Sequence, residues 1–226
     1  RYEDFKRVAD EVGAFTMADI AHVGGLVAAD AMANPFDAGF DIVTTTTHKT
    51  LRGPRGGMFL SMGKVGNPLK EPEFTKENLP TILDRSVFPG LQGGPHMHTI
   101  AGIAVALHEA AQPKFKEYAK QVLKNAKALA QKLMDLGAKL ITDGTDNHMM
   151  VIDCVKSFNL LGGDVEKVLD EVGITTNKSM IPDDPNPPFR PSGLRLGTPA
   201  MTTRGFKDPE CTRIAELIIE TLKNKD

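Results

Sequence analysis

The first third of the chain alternates between helical and strand patterns of apolar residues. Residues 3–12 carry apolar side chains at helical spacing and are followed by a glycine, which predicts a helix. Residues 14–19 and 41–48 predict two strands, with a short helix and a loop between them. Residues 56–62, GGMFLSM, predict a third strand that returns beside the second as a hairpin-like pair. This alternation predicts an α/β layer with parallel strands.

The second predicted strand is β-branched throughout. Every residue from Ile42 to Thr47 is isoleucine, valine or threonine, so the only polar groups are hydroxyls. A strand without polar alternation is typical of one that is covered on both faces. We therefore expect this strand to be buried on both sides.

The remainder of the chain predicts a second, smaller domain. Residues 63–85 are rich in proline and charge, which favours a surface excursion, and residues 88–99 predict a loop. Helical patterns follow at about 98–111 and 114–136. Beyond them, strands and helices alternate in an α+β pattern, with strands at 149–155 and 193–198 and helices at 163–173 and 210–222. We place the domain boundary between residues 111 and 112.

Composition excludes several classes of protein. The chain has 226 residues, of which 41% are hydrophobic and 25% charged, with a formal net charge of -2, so no basic field points to nucleic acid or to a membrane surface. Its 6% aromatic content without tryptophan argues against base stacking, and no apolar run reaches the ~20 residues that span a bilayer. Cys154 and Cys211 have neither metal-type nor disulfide-framework spacing, which favours a reducing, cytoplasmic compartment. Because the chain begins at Arg1, we expect it to be cut or processed.

Candidate chemistry lies where two predicted strands end. Lys49 follows the β-branched strand, beside His48 and close in sequence to Arg52 and Arg55. Nearby positive charge and partial desolvation favour the neutral, nucleophilic form of a lysine, which forms Schiff bases. Asp19 ends the first strand, and the carboxyl ends of parallel strands share one crevice. A lysine and an aspartate so placed are what a pyridoxal phosphate site requires, because the aspartate keeps the pyridine nitrogen protonated.

Five segments in order carry a resemblance to a known family. The chain resembles serine hydroxymethyltransferases in MADIAHVGGLVAA (17–29), DIVTTTTHKTLRGPRGG (41–57), VFPGLQGGPHMH (87–98), GTDNHMMVID (144–153) and PSGLRLGTPAMTTRGF (191–206). The resemblance implies part of the large domain of a fold-type I pyridoxal phosphate-dependent transferase, with a mostly parallel sheet and helices, over residues 1–111. It implies a smaller α+β C-terminal domain over residues 112–226.

The resemblance also implies roles for residues around the cofactor. Lys49 would bind pyridoxal 5'-phosphate covalently, and Asp19 would pair with its ring nitrogen. His22 would lie near the ring hydroxyl and the substrate, and Thr46 and His48 would flank the covalent linkage. From spacing alone, His22 is equally well a structural histidine and Thr46 an ordinary strand residue. The remaining implied cofactor contacts are Arg55, Gly93 and Gly94, the two glycines reaching the phosphate of a neighbouring subunit.

Two further segments of the resemblance concern substrates. Arg195 alternates with Leu194 and Leu196 and would grip the amino acid carboxylate, a task that suits the fork of a guanidinium group. Pro187, Pro188 and Phe189 would line a tetrahydrofolate site, although the same stretch also reads as a rigid spacer. The other histidines show no metal spacing, so we expect no metal.

The implied activity is the interconversion of serine and glycine, with transfer of the one-carbon unit to tetrahydrofolate. It would place the protein in glycine biosynthesis and one-carbon metabolism, as a homodimer or homotetramer without nucleic acid or membrane partners. The family's proton-transfer glutamate, two active-site tyrosines, Ser/Gly phosphate cup and ring-stacking histidine have no counterpart here, so we expect this chain alone to be incomplete. Two alternatives stay open: a folate-independent aldolase for β-hydroxy amino acids, and a fragment that only binds or dimerises.

Overall fold

The computed structural model describes residues 1–63, 66, 70 and 78–224. Within it the chain forms two compact units, Arg1–Lys116 and Glu117–Asp226. The boundary falls inside a long helix, five residues beyond the position predicted from the sequence. The assignment of these units to a large and a small domain stays a prediction.

The first unit is built on a three-stranded sheet. Strand β1 (Met17–Asp19) pairs in parallel with β2 (Ile42–Thr46), and β2 pairs antiparallel with β3 (Gly57–Ser61), in the order β1-β2-β3. The predicted hairpin-like return is therefore confirmed. The helices of this unit are α1 (Tyr2–Glu11), α2 (Gly24–Ala28), α3 (Leu79–Arg85) and α4 (Met97–Ala110), with a 3-10 turn at Pro35–Ala38.

Strand β2 is buried on one face only, so the prediction of burial on both faces is wrong. Val43 and Thr45 point into the unit and are buried, whereas Ile42, Thr44 and Thr46 alternate with them and are half-buried. The half-buried side is polar because the Thr44 hydroxyl lies next to the carboxylate that ends β1. A run of threonines can line a polar site as readily as a core, since each side chain carries both a methyl group and a hydroxyl.

The stretch from 63 to 85 is not all surface excursion. Much of it lies outside the described residues, but its end forms α3, in which Leu79 is fully buried. Asn78 caps this helix by accepting from the Thr81 N–H at 2.9 Å, and Pro80 occupies its first turn. Asparagine followed closely by proline is a helix-start signal that outweighs the loop-like composition. A π-type turn at Ser86–Leu91 follows α3, but Phe88 inside it is extended (φ -135°, ψ 124°), so the helical path is interrupted at the residue where the loop was predicted to begin.

The second unit packs helices on an antiparallel sheet. Strands β4 (Met149–Asp153), β5 (Asn177–Ser179) and β6 (Gly193–Gly197) lie in the order β4-β6-β5. Side chains from the helices and from one face of the sheet form a continuous core that includes Leu133, Ile152, Leu169 and Ile218. Its helices are α5 (Pro113–Asp135, shared with the first unit), α6 (Cys154–Phe158), α7 (Gly162–Glu171), α8 (Pro199–Thr203) and α9 (Asp208–Lys223). In the described part of the chain, none of the helices has the length and apolar character needed to cross a membrane.

Candidate active site

Asp19 ends β1 with both carboxylate oxygens engaged. Oδ1 accepts from the N–H of Ala21 at 2.9 Å, and Oδ2 accepts from the Thr44 hydroxyl of the neighbouring strand at 2.9 Å. These two bonds are the main reason why the pKa of Asp19 is lowered. The charges of Lys49 and His22 lower it further and, with the hydrogen bonds, outweigh a small effect of burial. The side chain is therefore an ionised acceptor at neutral pH, and it remains exposed.

Lys49 lies on the loop that follows β2, three residues beyond its last residue, Thr46. It is half-buried, and its charge acts on Asp19. The structure thus brings together the two residues that the strand ends predicted as neighbours. At the end of β2 the Thr46 hydroxyl donates to the Ala21 carbonyl at 3.3 Å, and on the loop His48 Nδ1 accepts from the N–H of Gly56 at 3.4 Å.

Thr50 joins the lysine loop to the segment after β1. Its side chain is 4% exposed, and its hydroxyl accepts from the N–H of Gly25 at 2.9 Å and donates to the His22 carbonyl at 3.1 Å. Gly25 is in the first turn of α2, where backbone N–H groups have no partner inside the helix. Sequence reasoning missed Thr50, because its partners lie more than twenty residues away.

Glycines allow these segments to approach closely. A Cβ atom on Gly25 would lie 2.5 Å from the backbone carbonyl carbon and oxygen of Thr50, which leaves no room for a side chain. Farther along the loop, a Cβ on Gly53 would lie 2.8 Å from the Thr47 carbonyl oxygen and 2.9 Å from Cβ of Ala106 in α4. The lysine loop is therefore held on one side by α2 and on another by α4.

Other predicted cofactor contacts are exposed. Arg55 is exposed on the loop before β3, and Gly93 and Gly94 are exposed between the π-type turn and α4. Apart from the glycine itself and its chain neighbours, no atom of the described residues lies within 4 Å of the position that a Cβ on either glycine would take. Within the described residues, Asp19 and Lys49 make no hydrogen bond or ion pair with these three residues, whose cofactor role stays a prediction.

Arg195 belongs to the second unit and lies in its central strand, β6. It is half-buried and pairs with Val151 of β4 and Asn177 of β5. Leu194 and Leu196 on either side of it are buried, so the predicted alternation of the strand is confirmed. An arginine in the central strand is held by two neighbours, which fixes its backbone more firmly than an edge position would.

The predicted folate loop lies between β5 and β6. Pro187, Pro188 and Phe189 are exposed, and Phe189 has 72% of its surface open to solvent. The Arg190 N–H donates to the Pro187 carbonyl at 2.8 Å, so these residues form a closed turn. In the described ranges, no group of three or more histidine, cysteine or acidic side chains is arranged to hold a metal ion.

We compared the whole chain with known protein families and with curated proteins. The family model for serine hydroxymethyltransferase matches residues 1–218. This chain belongs to the serine hydroxymethyltransferase family. It is 49% identical over 224 residues to the serine hydroxymethyltransferase of Mesoplasma florum, covering 99% of this chain and 51% of that protein. It is 50% identical over 225 residues to that of a Nostoc species, covering 100% of this chain and 49% of that protein. The chain therefore spans about half the length of the curated relatives that it matches.

The residues of the first unit fit the cofactor that the serine hydroxymethyltransferase family implies. Asp19 is exposed and ionised, so a carboxylate oxygen can accept a further hydrogen bond from a protonated ring nitrogen. Lys49 lies close enough for its charge to act on that carboxylate, and its amine is a suitable nucleophile for an aldehyde. The donor set of this site therefore suits pyridoxal phosphate.

Proposed function

We propose that the full-length protein that carries this chain interconverts serine and glycine and transfers the one-carbon unit to tetrahydrofolate, using pyridoxal phosphate. The observation that carries this proposal is the approach of Lys49 to Asp19 at neighbouring strand ends. It occurs in a chain whose family match covers residues 1–218. The proposed form is a cytoplasmic homodimer or homotetramer.

The proposal gives each residue around Asp19 a physical task. Lys49 holds the cofactor covalently, and Asp19 keeps a proton on the ring nitrogen because an ionised acceptor stabilises the protonated form. His22, whose charge acts on the Asp19 carboxylate, donates a ring N–H to the cofactor or the substrate. Thr46, the last residue of β2, and His48, on the loop that follows, border the lysine.

The bound cofactor supplies an electron sink that accepts the electrons of the substrate's broken bond. The chain supplies position and charge. Arg195 binds the amino acid carboxylate through two parallel N–H groups, which fixes the orientation of the bond to be cleaved. Arg55, Gly93 and Gly94 are proposed to bind the phosphate region, the glycines from a neighbouring subunit through exposed backbone N–H groups. Pro187, Pro188 and Phe189 offer an exposed apolar surface for the folate ring system.

Chemical labelling tests the assignment of Lys49. The full-length protein is loaded with pyridoxal phosphate, reduced with borohydride and digested, and the modified peptide is identified by mass spectrometry. We expect the label on the peptide that contains Lys49. Lys116 of the same unit, which pairs with Asp30 on the surface, is the internal control and stays unmodified.

The same preparation is assayed for formation of glycine from serine with and without tetrahydrofolate. Glycine formation that depends on tetrahydrofolate supports the proposed reaction. Labelling of Lys116 or another lysine with Lys49 unmodified would overturn the assignment of Lys49 as the cofactor lysine. A rate of glycine formation that is the same with and without tetrahydrofolate would overturn the proposed one-carbon transfer.

A further inference from the structure

A single carboxylate closes the loop between β5 and β6. Asp184 Oδ1 accepts from the N–H of Asn186 at 3.0 Å and from the Ser192 hydroxyl at 2.7 Å. Its Oδ2 accepts from the N–H of Ser192 at 2.9 Å and from that of Ile181 at 3.3 Å. Four donors from three different positions therefore converge on one side chain.

These bonds connect the start of the loop to its end. Ser192 is 1% exposed and directly precedes β6, so it is part of the folded body of the unit. The Asn186 side-chain amide also donates to the Ser192 hydroxyl, at 2.8 Å. The two ends of residues 187–191 are thereby fixed to each other and to β6.

The segment that is fixed in this way presents Phe189 to solvent. An exposed phenylalanine on a mobile loop gains little from stacking on a planar ligand, because binding must then order the loop. Here the loop ends are tied at Asp184 and the turn itself is closed between Pro187 and Arg190. The aromatic ring is therefore presented on a pre-organised backbone.

The charge of Asp184 matters to this network. All four contacts are donors, and an ionised carboxylate has acceptors only. Although partial desolvation alone would raise the pKa of Asp184, the hydrogen bonds from Ser192, Asn186 and Ile181 lower it to about 2. An asparagine at this position would turn one oxygen into an NH2 group that faces N–H or O–H donors.

We propose that Asp184 is the positioning residue of the folate site: its carboxylate holds the Pro187–Phe189 turn in the geometry that binds the pteridine ring. This inference rests on the proposed function, because it takes the loop to be the folate-binding loop. Asp184 acts through the loop and does not itself contact the ligand.

The test compares Asp184→Asn with Asp183→Asn in the full-length protein. Asp183 is exposed, lies next to Asp184 and takes no part in the network, so its variant removes the same charge one residue away. Its φ of 52° is a left-handed conformation that asparagine tolerates. For Asp184→Asn we expect KM for tetrahydrofolate to rise by about tenfold or more, as misplacement of a binding group does. The dissociation constant for serine, measured by calorimetry without folate, should stay the same, and Asp183→Asn should leave both values unchanged.

Three outcomes would contradict either the proposed function or the positioning role of Asp184. If the unmodified protein shows no folate-dependent turnover, the proposed function fails, whatever the variants do. If it turns over but Asp184→Asn keeps the original KM for tetrahydrofolate, the positioning role fails. If Asp184→Asn weakens serine and folate binding in equal proportion, its effect is on the whole unit, and the positioning role fails as well.

Discussion

Removing the Thr50 hydroxyl should loosen the site at Asp19 and Lys49. Thr50→Val keeps the shape of the side chain but leaves the buried Gly25 N–H without its partner, at a cost of about 1–3 kcal/mol. It also removes the bond to the His22 carbonyl, worth about 1 kcal/mol. We therefore expect a loss of about 2–4 kcal/mol in the free energy of unfolding, a large share of the ~5–15 kcal/mol that domains possess.

Thr50→Ser is the matched control. It keeps the hydroxyl and removes only a methyl group from a buried position, which costs about 1 kcal/mol. Comparing the two variants separates the contribution of the hydrogen bonds to stability from the contribution of side-chain packing. Equilibrium urea unfolding of the unmodified protein and both variants gives the two differences in free energy.

The effect of losing the Thr50 hydroxyl on cofactor binding is measured in the unmodified protein and the same two variants. The Thr50 hydroxyl fixes the backbone at His22, three residues after Asp19, so its loss should shift both relative to Lys49. We expect weaker binding of pyridoxal phosphate in Thr50→Val, measured by absorbance titration, and near-normal binding in Thr50→Ser. Equal stability and equal cofactor affinity of the two variants would refute this reasoning, because the hydroxyl would then contribute nothing beyond its volume.

Three other predictions follow from the same structure. Asp19→Asn should keep the melting temperature of the full-length protein but lose most serine turnover, because an amide cannot hold the ring nitrogen protonated; near-normal turnover would exclude Asp19 as the ring partner. Arg195→Lys should raise KM for serine by about tenfold or more through loss of the proposed bidentate contact, and an unchanged KM would place the carboxylate elsewhere. Burial raises the pKa of Cys154 to about 12 and of Cys211 to about 11, so neither thiol should react with iodoacetamide at pH 8 until urea unfolds the protein; alkylation of the folded protein would contradict their burial.

The sequence could predict which residues lie close together where that proximity follows from the order and direction of the strands. Asp19 and Lys49 are thirty residues apart, yet both follow strands with clear apolar patterns. Once two strands are parallel and adjacent, their carboxyl ends lie at one edge, so the proximity of the two side chains requires no knowledge of loops. The alternation around Arg195 could be predicted for the same reason, because a strand has a fixed period of two.

Burial was less predictable because composition does not say which face of a strand is covered. The β-branched run of β2 favoured two covered faces, but the exposed carboxylate of Asp19 makes one of them polar. Likewise the prediction for the charged and proline-rich stretch before residue 85 relied on composition and missed α3, although Asn78 and Pro80 are a helix-start signal in the sequence.

Thr50 and Asp184 show what local patterns cannot supply. Each is one polar side chain with hydrogen-bond partners far along the sequence, Gly25 and His22 for Thr50 and Ser192 for Asp184, and nothing in its own neighbourhood identifies those distant partners. The bond from the Asn186 N–H to Asp184 is local, since aspartate commonly accepts from the N–H two residues on, but the bonds to Ser192 depend on where β6 begins. Residues with a chemical role can be predicted from their type and from the strand they follow. Residues that hold them in place can be recognised only in the folded structure, because it alone shows which hydrogen-bond donors they satisfy.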